Sequence, residues 1–106
     1  TWETQDKERD IAAATAAWKK AKELIRDERK QMVLLDEINI ALRYGYIDLG
    51  EVMQFLENEK PPMTHVVLTG RNAAEDLIEM ADLVTEMALV KHPFRSGIKA
   101  QIGVEF

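Results

Sequence analysis

A chain of 106 residues, 46% hydrophobic and 31% charged, admits one globular domain with a modest core. Cysteine is absent, which excludes disulfides and thiolate metal sites; no apolar run is long enough to span a bilayer and no secretory signal opens the chain, so a cytoplasmic setting is expected. The net charge of -5 is uneven, near +1 over residues 1–30, -8 over 31–90 and +2 over 91–106. No face is basic enough to make duplex nucleic acid the main partner, while the short basic tail suits a small anionic ligand.

Thr1 to Gln5 is polar, carries Trp2, and shows no helix start of its own. From Asp6 to about Glu28 the residues Ile11, Ala14, Trp18, Ala21 and Ile25 recur at three-and-four spacing, the signature of one helical face. The run Ala12-Ala13-Ala14 favours helix intrinsically, Lys19 and Glu23 stand one turn apart as a surface pair, and Arg29-Lys30 would close the helix with cations.

Met32 to Leu35 is a continuous apolar run that stops at Asp36-Glu37. Such a run reads as a strand buried on both faces of a parallel sheet, and ligands of such sheets bind beyond the carboxyl ends of the strands. Ile38 to about Tyr44 follows as a short helix broken by Gly45. Asp48 and Glu51 form a capping-box pattern that opens a helix to about Asn58, with Val52, Met53 and Leu56 inward, and Pro61-Pro62 stops the chain beyond it. Thr64 to Thr69 reads as a second strand, Asn72 and Glu75 as the cap of a helix to about Ala81, Leu83 to Val90 as a third strand, and Ile98 to Phe106 as a last one. Strands alternating with helices specify an α/β layered fold with parallel crossovers.

Asp36 and Glu37 at a strand end have two readings: coordination of Mg²⁺ on bound phosphates, or carboxylates stabilised by a helix N-terminus. A phosphate loop would need Gly, four residues, then Gly-Lys-Ser/Thr; only Gly45 and Gly50 have that separation, and Glu51-Val52 follows them. These 106 residues therefore contain no phosphate loop. Thr69-Gly70-Arg71 ends the second strand on the same sheet edge as the acids, and arginine's planar fork suits phosphate, against the commoner reading of a glycine turn with a solvated arginine. Lys91-His92-Pro93-Phe94-Arg95 with Lys99 gathers cations around an aromatic, for a polyanionic ligand or as an edge strand with surface lysines. The second histidine, His65, falls inside a strand, which argues against a histidine metal site. Trp18 is expected in the core, Trp2 at a ligand or interface, and Tyr44 and Tyr46 as packing residues.

Taken together, Thr1-Trp2-Glu3-Thr4-Gln5, Val33-Leu34-Leu35-Asp36-Glu37-Ile38-Asn39, Tyr44-Gly45-Tyr46, Val66 to Arg71, Ala81 to Met87 and Val90 to Gln101, ending Gly103-Val104-Glu105-Phe106, resemble the C-terminal portion of corrinoid (cob(I)alamin) adenosyltransferases of the CobA/CobO/BtuR type. The resemblance implies a RecA-like P-loop fold with a parallel sheet flanked by helices. It implies transfer of the 5′-deoxyadenosyl group of ATP to Co(I) of a corrinoid with Mg²⁺ required, in a homo-oligomer expected to be a dimer. By the same resemblance Glu37 helps hold Mg²⁺ with Asp36 beside it, Arg71 contacts the polyphosphate and Trp2 lies against the corrinoid; Lys91, His92, Phe94 and Arg95 complete the expected ligand-binding set. Co(I) is itself the nucleophile, so no catalytic base is expected. The family's phosphate loop lies before the Thr-Trp stretch. The chain is accordingly expected to be one C-terminal part of an adenosyltransferase domain over 1–106, a poor ATP binder alone, with an open apolar sheet face that favours self-association. Two rival readings stand beside it: part of another P-loop ATPase, which would release phosphate and ADP, and a non-enzymatic α/β association module built on the Trp18 face.

Overall fold

The computed structural model describes residues 2–93, Trp2 by its backbone alone. Its elements are α1 (Trp2–Arg26), β1 (Met32–Leu35), α2 (Ile38–Arg43), α3 (Leu49–Asn58), β2 (His65–Leu68) and α4 (Glu75–Met80). The α/β class expected from the sequence holds: β1 and β2 pair in parallel, with Met32 opposite His65 and Leu35 opposite Leu68, and helices pack against the face that carries Val33 and Leu35.

Helix α1 spans 25 residues and starts at Trp2, earlier than the apolar periodicity indicates. The polar residues ahead of Ile11 include strong helix formers, and Glu3 sits favourably in the first turn. The inward face is as read from the spacing: Trp18, Ala21 and Ile25 are buried and Ala14 packs against them. The helix ends at Arg26, before Arg29-Lys30. The Asp27 amide is shared between the Glu23 and Leu24 carbonyls, and the Asp27 carboxylate accepts from the Arg29 amide at 3.1 Å, turning the chain out of the helix. Arg29 thus serves the turn, and Glu23 pairs with Lys20 at 3.8 Å in place of Lys19.

The core gathers Trp18 and Ile25 of α1, Val33 and Leu35 of β1, Ile38 of α2, Ile47, and Val52, Phe55 and Leu56 of α3. Trp18 meets the Phe55 ring edge-on at a centroid distance of 5.4 Å, a favoured aromatic geometry. Phe55 takes the inward role expected of Met53, which is half-buried. Asp48 caps α3 as read, accepting from the Glu51 amide at 2.9 Å. Gly45, at φ 73°, closes α2 with its amide on the Leu42 carbonyl and the Tyr46 amide on the Ala41 carbonyl, the paired bonds of a glycine-terminated helix.

Three expectations fail. β1 is not buried on both faces: Val33 and Leu35 enter the core, whereas Met32, Leu34 and, on β2, Val67 lie on an open face. An apolar run encodes affinity for a covering layer and does not itself provide one. Residues 81–90 form neither strand nor helix and stay exposed, Val90 at 95%, because a strand requires a ladder partner that no described segment offers. Asn72 does not cap α4; it takes a left-handed turn at φ 56°, and Ala74 precedes the helix without a side-chain cap. The last strand expected over 98–106 lies outside the described residues.

Candidate functional site at the carboxyl edge of the sheet

The two parallel strands end side by side, so the segments after Leu35 and Leu68 share one edge. Asp36 and Glu37 form the turn from β1 into α2, both exposed, and Thr69-Gly70-Arg71 leaves β2 beside them. Strand pairing continues one step further, with the Thr69 amide donating to the Leu35 carbonyl at 3.3 Å.

The turn is backbone-strained and side-chain-fastened. Glu37 precedes α2 with φ 59° and ψ 22° and caps nothing with its own side chain. A left-handed conformation is unfavourable for a residue with a β-carbon, so the surroundings must hold it. The Glu37 amide donates to Thr69 Oγ1 at 2.9 Å, and Thr69 Oγ1 donates to Asp36 Oδ1 at 3.0 Å. The two acids thus sit where a helix start has them, immediately before α2, with Asp36 also bonded to the neighbouring strand end.

Asn39, on the first turn of α2, ties the same two segments from below. Its amide donates to the Thr69 carbonyl and its Nδ2 to the Gly70 carbonyl, both at 3.2 Å. The side chain is buried, and Oδ1 has no hydrogen-bond partner among the described residues. Reversing the amide would set two oxygens against each other at Gly70, so the donor assignment follows from the neighbour. Gly70 has φ 125°, and a β-carbon there would lie 2.9 Å from Asn39 Cβ. Glycine is therefore required at this position both for its backbone angle and for its lack of bulk.

Arg71 is exposed and makes no ion pair among the described residues. The structure thus brings Asp36, Glu37, Thr69 and Gly70 together, with Arg71 following directly in the chain. Of the remaining candidates, Trp2 begins α1, and Lys91 (exposed) and His92 (half-buried) follow the irregular 81–90 segment. Phe94, Arg95 and Lys99 lie outside the described residues. No group of three or more His, Cys, Asp or Glu able to hold a metal occurs among the described residues. Two adjacent carboxylates are nonetheless a suitable donor set for Mg²⁺, which is usually held by one or two carboxylates with substrate phosphates and water.

Sequence reading named Asn39 only as the end of a family-like stretch, with no role, and missed the left-handed geometry of Glu37, which has no signal in residue type. It also missed the seam between α1 and α3. There Glu51 Oε1 accepts from Trp18 Nε1 at 3.1 Å and from Lys22 Nζ at 3.2 Å, bonds that hold the Glu51 carboxyl below its usual range, the Trp18 bond contributing most. Arg26 pairs with Glu59 at 2.8 Å while its guanidinium lies 5.0 Å from the Phe55 ring centre. The shallow grooves along this seam, one bounded by Lys22, Arg26, Phe55 and Glu59 and the other by Trp18 and Tyr46, share no residue with the acid turn.

Comparison with known proteins adds an independent finding. The family described as ATP:corrinoid adenosyltransferase BtuR/CobO/CobP matches residues 1–106. Proteins named corrinoid adenosyltransferase align along the whole chain: one from Sinorhizobium at 79% identity, one from Pseudomonas aeruginosa at 58% and one from Escherichia coli K12 at 45%. The chain spans about half the length of these relatives, 50%, 52% and 54% respectively.

Proposed function

The chain belongs to the ATP:corrinoid adenosyltransferases, a family of enzymes, and from that premise we propose that it supplies the acid-bearing edge of a site that transfers the 5′-deoxyadenosyl group of ATP to Co(I) of a corrinoid. The observation that carries this reading is the family match over residues 1–106. The fastened acid turn at the carboxyl edge of a parallel sheet supports it, because that is where α/β folds bind their ligands.

In this reading residues 1–106 are a C-terminal part of one adenosyltransferase domain with a RecA-like sheet, working in the cytoplasm as a dimer. Glu37 and Asp36 would hold a magnesium ion, which would offset the negative charge gathering on the departing tripolyphosphate. Arg71 offers its planar donors to the polyphosphate, and Lys91, His92, Phe94 and Arg95 line the anionic ligand. Trp2 lies against the corrinoid. The Co(I) electron pair forms the bond to C5′, the C5′–O bond breaks, and tripolyphosphate leaves with the bonding electrons. The protein's part is to orient the reactants and exclude water, with no proton to move.

Adenosylcorrinoid formation from magnesium ATP and chemically reduced cobalamin, followed by absorbance, tests the reading. The full-length gene product is expected to turn over and its Glu37→Gln variant to lose most activity. The 106-residue chain alone is expected to be inactive, because no phosphate loop occurs in it. Release of ADP and phosphate without adenosylcorrinoid would overturn the reading in favour of an ATPase.

A further inference from the structure

We propose that Thr69 is the positioning residue of the acid turn, so that the orientation of Asp36 and Glu37 toward a phosphate-bound divalent cation is set from the end of β2. The inference rests on the magnesium reading above and deepens it.

Hydrogen-bond bookkeeping leaves one arrangement at this hydroxyl. The Glu37 amide can only donate, so Thr69 Oγ1 accepts there, at 2.9 Å. The hydroxyl's single proton then goes to Asp36 Oδ1 at 3.0 Å. One side chain therefore stabilises the left-handed backbone of Glu37 and directs the Asp36 carboxylate, leaving Asp36 Oδ2 outside the bond. Thr69 is itself held on both sides. Its amide pairs with Leu35 across the sheet, and its carbonyl accepts the Asn39 amide. Asn39 Nδ2 and the absence of a β-carbon at Gly70 keep the following turn against α2. Without the hydroxyl, water can satisfy these exposed groups, so the fold survives while the acids lose their fixed orientation. Such outer partners of metal-holding carboxylates characteristically govern affinity.

The test uses the full-length gene product with Thr69→Val, which keeps the branched shape, and Thr69→Ser, which keeps the hydroxyl. Mn²⁺ binding in the presence of ATP, read by electron paramagnetic resonance of the free ion, is measured beside the Mg²⁺ dependence of turnover. Thr69→Val is expected to weaken Mn²⁺ binding, and to raise the Mg²⁺ needed for half-maximal turnover, by about tenfold or more, the usual scale for such outer partners. The KM for corrinoid should not change, and Thr69→Ser should behave as the parent. Parent-like Mn²⁺ affinity in Thr69→Val, or equal losses in the valine and serine variants, overturns the proposal. Thr69→Ala repeats the measurement if the valine variant fails to fold. Asp36→Asn and Glu37→Gln separate the two levels: unchanged Mn²⁺ affinity in both overturns the magnesium reading and this inference with it, whereas a loss there with none in Thr69→Val overturns this inference alone.

Discussion

The seam between α1 and α3 and the carboxyl edge of the sheet are built from similar polar residues to opposite ends. At the seam charged groups pair across relaxed helical backbone: Trp18 and Lys22 converge on Glu51, and Arg26 meets Glu59 over the Phe55 ring. At the sheet edge Glu37 and Asn72 are left-handed, Gly70 tolerates no β-carbon, a buried Asn39 oxygen lacks a partner among the described residues, and two acids and an arginine face solvent. The seam contributes stability and the edge consumes it, which fits the proposal that ligands are handled at the edge.

The widest separation of the two regions should come from Trp18→Ala. It removes the ring that packs on Phe55 and should lower unfolding stability by about 3–5 kcal/mol in denaturant titration; a negligible loss would mean that the seam does not hold the fold. Gly70→Ala probes the edge. It forces a β-carbon toward Asn39 in a backbone region that costs about 1–3 kcal/mol, and should disturb Mn²⁺ binding out of proportion to its effect on melting. Glu51→Ala sharpens the contrast from the stable side: it leaves Trp18 Nε1 without its acceptor and should cost about 1 kcal/mol with no change in metal affinity.

The smallest effect concerns the α1 terminus. Asp27 accepts two bonds from the Arg29 side chain and one from its amide, which draws its carboxyl from 3.8 down to about 2. A depressed folded-state value means that the stabilisation is complete above about pH 4 and fades as pH falls toward 2. Asp27→Asn should thus shift the melting temperature slightly at neutral pH and by less as pH falls toward 2, and an equal shift at both would break the assignment.

Much of the scaffold was legible in the residues. The three-and-four spacing of Ala14, Trp18, Ala21 and Ile25 marked the buried face of α1, Asp48 marked the start of α3, and Gly45 marked the end of α2, because each signal acts within a few residues of itself. The failures depend on distant neighbours. Leu83 to Val90 has strand composition and no ladder partner among the described residues, Leu34 is apolar on an open face, and Asn72 resembles a cap three residues ahead of Glu75 yet makes the turn that precedes it. The acids were singled out from the end of β1, but nothing in the residue types showed that Asn39 would brace the Thr69-Gly70 turn beside them.

Sequence alone determined the α/β class, the buried stripe of α1, the absence of a phosphate loop and the family, since composition, local periodicity and residue identity are properties of the chain. Only the tertiary structure decided that Thr69 meets both Asp36 and Glu37, that Glu51 accepts from Trp18, and that Gly70 admits no side chain. Each is a contact between residues roughly thirty positions apart. Hydrogen bonds require particular atoms at particular angles, and the parallel pairing of β1 with β2 is what brings the acid turn and Thr69 within reach of one another.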